Sequence, residues 1–126
     1  MSETYRDDIA AAAVRMGSSV GARKELAGLE ERLRPGEQVS ALVAGRHGPG
    51  NGVLVLTDSR VLFVFEGLIR EAEVVIPISE VTGVGWSTAV NLGTISVLAG
   101  SEIEVGGVDK DGGEHFVKAL KSAASI

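Results

Sequence analysis

Hydrophobic residues recur at two different spacings along the chain, and the spacing changes near Gly36. Before that point apolar side chains repeat every three or four residues, which is the helical period. They are Ile9, Ala13 and Met16 in a first run and Leu26, Leu29 and Leu33 in a second. Gly17-Ser18-Ser19 interrupts the two runs and Pro35-Gly36 ends the second. The pattern predicts a helical hairpin in residues 1–35.

After Gly36 apolar and polar residues alternate, which is the period of a β-strand. Breaks that contain glycine divide this part into seven segments, as is typical of an antiparallel sheet. The predicted strands are 38–46, 53–57, 60–65, 73–78, 81–88, 93–99 and 102–108. We predict tight turns at Asn51-Gly52 and Gly100-Ser101, because both pairs supply a residue that tolerates positive φ.

The last segment, 113–124, returns to the helical period. Its apolar residues fall on one face and are Phe116, Val117, Leu120 and Ala124. Asp111 is the expected N-cap of this helix. Seven short strands followed by one amphipathic helix predict an α+β, mainly β fold, in which the helix closes one end of a small barrel or sandwich.

The hairpin GVLVLTDSRVLFVF, residues 52–65, is apolar on both faces. With Asp58-Ser59 as a two-residue loop, Thr57 lies opposite Arg60, and this fixes the register of both strands. One face then carries Leu54, Leu56, Val61, Phe63 and Phe65. The other carries Val53, Val55, Thr57, Arg60, Leu62 and Val64. Thr57 and Arg60 are expected as a cross-strand pair at the solvated end.

A barrel wall has only one inner face, so the apolar side chains on the outer face of this hairpin need a cover. Two covers are open at this point: the N-terminal helices, or the same surface of another subunit. The candidate interaction surface therefore consists of Val53, Val55, Leu62 and Val64 with Leu26, Leu29 and Leu33.

Charge is unevenly distributed. The net charge is −5; six Lys/Arg balance six Asp/Glu up to Pro35, whereas six face eleven in the rest. An acidic body disfavours nucleic acid and anionic membranes as partners. The chain contains no cysteine and no apolar run of the ~20 residues that span a bilayer. It opens with MSETYRDD instead of a signal peptide, which indicates a cytoplasmic protein.

Four segments taken in order resemble the bacterial pleckstrin-homology-like (PH-like) domains, in particular the short YokE-like branch. They are LRPGEQVSALVAG, GVLVLTDSRVLFV, IPISEVTGV and HFVKALKS. The resemblance implies a seven-stranded, strongly bent antiparallel barrel, 36–126, capped by the C-terminal helix and preceded here by the extension 1–35. It also implies a binding and assembly scaffold without catalytic residues, some relatives of which form homo-oligomeric rings.

The remaining chemistry yields weaker candidates. The loop GRHGPGNG offers Arg46 and His47, which with Arg60 form a candidate site for an anionic lipid headgroup, although strand 53–57 lacks further cations. DKDGGEH has three acids and a histidine but not the ligand order of a calcium loop. A hydrolase would need His47 or His115 beside a carboxylate.

From the sequence, we expect a non-enzymatic binding or assembly module that associates with itself or with another protein. Peripheral lipid binding is the alternative. No cofactor, metal or small-molecule substrate is indicated.

Overall fold

The computed structural model describes residues 6–16, 23–48, 50–65 and 74–126. The helices are α1 (Asp7–Val14), α2 (Arg23–Arg32) and α3 (Lys110–Ala124). The strands are β1 (Val39–His47), β2 (Gly50–Thr57), β3 (Arg60–Phe65), β4 (Val74–Pro77), β5 (Gly83–Ala89), β6 (Leu92–Ala99) and β7 (Ser101–Asp109). A single 3₁₀ turn, Ile78–Glu80, precedes β5. The predicted break at 17–19 lies outside the described residues.

All seven strands form one antiparallel sheet in the order β4-β3-β2-β1-β7-β6-β5. The inner face of the sheet and α3 enclose the larger core, to which both halves of the sheet contribute. Its largest fully buried members include Phe63, Ile95, Phe116 and Leu120. The sheet therefore bends around α3, as predicted from the order of strands and closing helix.

The helices α1 and α2 form a second core with the outer face of β1, β2 and β3. Ile9, Ala12 and Met16 come from α1 and its C-terminal end, and Leu26 and Leu29 come from α2. All five side chains are buried. Of the two covers that the sequence left open for the outer face, the N-terminal helices occupy it.

The register of the β2-β3 hairpin is the predicted one. Leu56 pairs with Val61, Leu54 with Phe63 and Val53 with Val64. One face of the hairpin therefore lies in the core beside α3, and the other face lies in the core beneath α1 and α2. The two-residue loop Asp58-Ser59 fixed this register, because both faces of the hairpin are apolar and the pattern alone does not distinguish them.

The predicted turn at Asn51-Gly52 is wrong. Both residues lie within β2, paired with Arg46 and Gly45, and the chain reverses beyond His47, where Gly48 has φ 61°. Gly52 serves packing instead of a turn, since a Cβ at this position would collide with the backbone oxygen of Val64. The predicted turn at Gly100 is confirmed, with φ 82°.

The closing helix starts earlier than predicted. Its N-cap is Asp109, whose carboxylate accepts the backbone N–H of Gly112 at 2.9 Å, so Asp111 is not the cap. Gly112 and Gly113 are helical and buried. A Cβ on Gly112 would meet the backbone of Met16, and one on Gly113 would meet the ring of Trp86. The glycine pair lets α3 approach both the end of α1 and strand β5.

Candidate functional site

The β2-β3 turn carries a buried polar cluster. Thr57 is fully buried and Arg60 is 8% exposed, so the expected position of this pair at the solvated end of the hairpin is wrong. Thr57 Oγ1 accepts the backbone N–H groups of Ser59 and Arg60 at 3.1 and 3.0 Å, which fixes the turn. Asp58 lies outside the cluster and accepts the backbone N–H of Gln38 at 3.4 Å.

The centre of this cluster is Glu37, which is 4% exposed. Its Oε2 accepts Arg60 Nε at 2.8 Å, Thr57 Oγ1 at 2.6 Å and Ser59 Oγ at 3.0 Å. Its Oε1 accepts Arg60 Nη2 at 3.0 Å and the backbone N–H of Arg34 at 2.8 Å. Burial alone would raise the pKa of this carboxyl, but the bonds from Arg60, Thr57, Arg34 and Ser59 outweigh it and lower the pKa to about 2.

Arg60 also joins the sheet to α2. Its Nη2 donates to the backbone oxygen of Arg32 at 2.8 Å, at the C-terminus of the helix, where carbonyl groups lack helical partners. The guanidinium thus bonds a carboxylate and a helix end at once. It anchors the helical layer to the sheet.

A second ion pair anchors α1. Arg6 bonds both oxygens of Asp8 at 2.6 and 2.7 Å and also donates to the backbone oxygen of Glu37 at 2.7 Å. Asp8 accepts the backbone N–H of Val39 at 2.6 Å. The hydrogen bond from Arg6 is the main cause that lowers the pKa of Asp8 to about 2, against the opposing effect of burial. The two ion pairs together connect α1, α2 and the start of β1.

The structure does not bring the three candidate headgroup ligands together. Arg46 pairs with Asn51 near the start of β2, whereas Thr57 lies six residues further along that strand, about 20 Å away at the usual rise. Arg46 is exposed, but Arg60 at the other end of the hairpin is engaged by Glu37. Any anion held by Arg46 and His47 is therefore out of reach of Arg60.

The two histidines lie apart in the chain, His47 at the end of β1 and His115 in α3. His47 Nδ1 lies 3.0 Å from the backbone oxygen of Glu104, and its ring contacts Phe63 edge-on. Burial, followed by the charges of Arg15 and Lys118, lowers the pKa of His115. No group of three His, Asp or Glu side chains in the described part of the chain is placed to hold a metal ion.

The predicted interaction surface is covered. Val53, Val55, Leu62 and Val64 are at most 3% exposed, Leu26 and Leu29 are buried above them, and Leu33 packs at the margin of the same core. Contact between copies through these residues would require α1 and α2 to leave the sheet. Intermolecular use of this surface stays a prediction.

A surface that the sequence reasoning missed is the β5-β6 hairpin. Its two-residue loop, Val90-Asn91, joins Ala89 to its partner Leu92. Val90 is 90% exposed, Leu92 is 51% exposed, and Val90 has φ 58°. Positive φ on a β-branched residue costs ~1–3 kcal/mol. The sequence feature that indicates this exposed surface is the absence of charged residues between Glu80 and Glu102.

Comparisons with solved structures agree on the fold. The PH domain from Shewanella amazonensis SB2B has TM-score 0.57 and 13% identity, with 82% of this chain and 97% of that chain covered. The N-terminal PH domain of Vps36 has TM-score 0.56 and 17% identity, covering 74% and 83%. The C-terminal domain of an unknown Leishmania infantum protein has TM-score 0.53 and 16% identity, covering 73% and 88%.

The chain thus has a PH-like fold, which confirms the fold expected from the resemblance. No protein-family model matches the sequence, and a search of curated proteins finds no significant match. The likeness to the YokE-like branch stays a prediction. Among the described helices, none is long and apolar enough to cross a membrane.

Proposed function

We propose that the chain is a non-enzymatic PH-like assembly module that associates with itself through protein contacts. The observation that carries the proposal is a set of large apolar side chains exposed on an acidic body. They are Val14, Val75, Val90, Leu92, Leu98 and Ile126. Apolar groups that two acidic copies bury against each other contribute favourable free energy without bringing acids together.

The alternative, binding of an anionic lipid headgroup, receives less support. A multiply charged headgroup requires several converging cations, and of the three candidates Arg60 is bonded to Glu37 at the far end of the hairpin. Arg46 and His47 would have to act together, next to the exposed acids Glu102 and Glu104 of β7. The net charge of −5 further opposes approach to an anionic bilayer.

Sedimentation velocity of the full chain over a concentration series tests the proposal. We expect a discrete oligomer whose population increases with concentration. Co-sedimentation with phosphatidylserine vesicles at low salt, using phosphatidylcholine vesicles as the control, tests the alternative. A chain that stays monomeric throughout would overturn self-association, and vesicle binding that is lost in R46A and H47A would establish the lipid function in its place.

A further inference from the structure

We propose that the β5-β6 hairpin is the contact between two copies of this chain, formed by its strained apolar tip and the edge of β5 with which no described strand pairs. This inference rests on the proposed function, because it specifies which surface the self-association uses. The occupant of the surface is the same hairpin of a second copy.

The tip holds an apolar side chain at a backbone position that disfavours it. Val90 is the first residue of the two-residue loop and has φ 58°, whereas Asn91 is not among the residues with positive φ. That combination resembles a type II′ turn, in which the first central position favours glycine. The side chain that causes the strain is almost fully exposed. A strained residue without internal contacts to stabilise it indicates a role outside the monomer.

The charge pattern favours a second copy as the partner. No charged residue occurs between Glu80 and Glu102, so the whole hairpin is uncharged. Exposed acids flank it on β7 and α3, namely Glu102, Glu104, Asp111 and Glu114. Two copies that each carry a charge of −5 can meet through this hairpin without placing acid against acid at the centre of the contact.

The two edges of the sheet differ in their protection. β4 at one edge has four residues and ends at Pro77, which lacks a backbone N–H. β5 at the other edge has seven residues, contains no proline or lysine, and is paired among the described strands with β6 alone. Edge strands without such blocking residues pair readily with another chain.

A two-fold axis beside β5 would account for both the strained tip at Val90 and the unprotected edge of β5. Antiparallel pairing of the exposed end of β5, Ser87 to Ala89, with its copy would pair backbone groups at the edge. With the axis at Thr88, Val90 of each copy would lie beside Trp86 of the second copy, so each exposed tip would gain an apolar contact. Such an isologous interface closes after two subunits.

Sedimentation of the full-length V90G variant separates this role from a structural one. Glycine relieves the positive φ, so at concentrations where both proteins are monomeric we expect the midpoint of thermal unfolding to rise by a few degrees. We also expect the dissociation constant of the dimer to increase at least about tenfold. T88K, which places like charges across the two-fold axis, should weaken the dimer to a similar extent.

The matched control is S40A, which removes an exposed, uncharged group on β1 and should leave the dimer unchanged. If the wild type dimerises and neither V90G nor T88K weakens the dimer, the hairpin is not the contact although self-association stands. The hairpin is also excluded if S40A weakens the dimer as much as V90G does. If the wild type does not associate at all, the proposed function fails and this inference fails with it.

Discussion

Glu37 bonds to residues of the β2-β3 turn and to the backbone after α2, so one carboxylate joins two parts of the chain that are distant in sequence. A buried ion pair contributes little net stability when it is compared with a well-packed apolar pair, but removal of one partner is costly. Five hydrogen bonds converge on this carboxylate. The cluster therefore acts mainly by fixing the position of the helices on the sheet.

Removal of this carboxylate should destabilise the chain strongly. E37A leaves the Arg60 guanidinium buried with a smaller set of acceptors and leaves the hydroxyl of Thr57 without its 2.6 Å acceptor. We expect a loss of about 3–5 kcal/mol in the free energy of unfolding, measured by urea denaturation. The control is E102A, at an exposed position of β7, for which we expect a change within about 0.5 kcal/mol. If both substitutions lowered the free energy of unfolding equally, the cluster would contribute no more to stability than an exposed side chain does.

Acid should weaken the fold through the same carboxyl. The pKa of Glu37 is about 2 in the folded chain against an ordinary value of 4.5. A lowered folded pKa means that the stabilisation is complete above pH 4.5 and is lost as the pH falls through about 2. Denaturation curves between these values should therefore show stability falling with pH. E37Q should show a shallower dependence, with the remainder due to Asp8; an unchanged slope in E37Q would contradict the assignment.

The cluster was not predictable from the sequence. The hairpin register placed Thr57 opposite Arg60 correctly, but nothing local to the turn indicates that Glu37, more than twenty residues away, covers it. Burial of an arginine depends on its tertiary partner. The strain at Val90 was not predictable from the sequence for a related reason. The length of the loop and the φ of its residues depend on where the pairing of β5 with β6 ends.

At the scale of elements, the first turn of α3 depends on two glycines. Gly112 lies against the backbone of Met16 at the end of α1, and Gly113 lies against Trp86 of β5. Three elements therefore meet where a Cβ would separate them. Half-buried Trp86 joins the inner core at this place.

Alanine substitutions at two helical glycines should have opposite effects. G112A places a methyl group against a backbone oxygen, which cannot move as a flexible side chain can, so we expect a loss of about 1–3 kcal/mol. G28A in α2 meets no described heavy atom within 4 Å and should stabilise the helix by roughly 0.5–1 kcal/mol. Thermal unfolding of both variants measures the contrast. A stabilised G112A would refute the tight approach of α1 and α3.

The elements themselves were largely predictable because their patterns are strong. All seven strands and the closing helix follow from alternation and from one apolar helical face. The errors occur beside glycines: Asn51-Gly52 has the composition of a turn but lies within β2, and the N-cap of α3 is Asp109 instead of Asp111, so that Gly112 and Gly113 are both helical. In each case close packing requires the glycine, and sequence alone does not distinguish packing from turning.

At the scale of the whole molecule, the sheet is covered on both sides by helices of the same chain. α3 fills the inner side, and α1 and α2 cover the outer side of β1, β2 and β3. The ion pairs of Glu37 and Asp8 hold the outer cover in place. The outer cover is thus packed firmly on the sheet, whereas the β5-β6 hairpin exposes Val90 and Leu92.

A chain that starts at Gly36 tests this arrangement. It lacks both helices and exposes the outer apolar side chains, which include Leu42, Val55 and Leu62. We expect heterogeneous aggregation and binding of the dye ANS, because a large contiguous apolar surface becomes exposed to water. Size-exclusion chromatography with light scattering compares it with the full chain. A discrete, stable oligomer of the shortened chain would instead show that the outer face is self-complementary, and V90G would then no longer be expected to control its assembly.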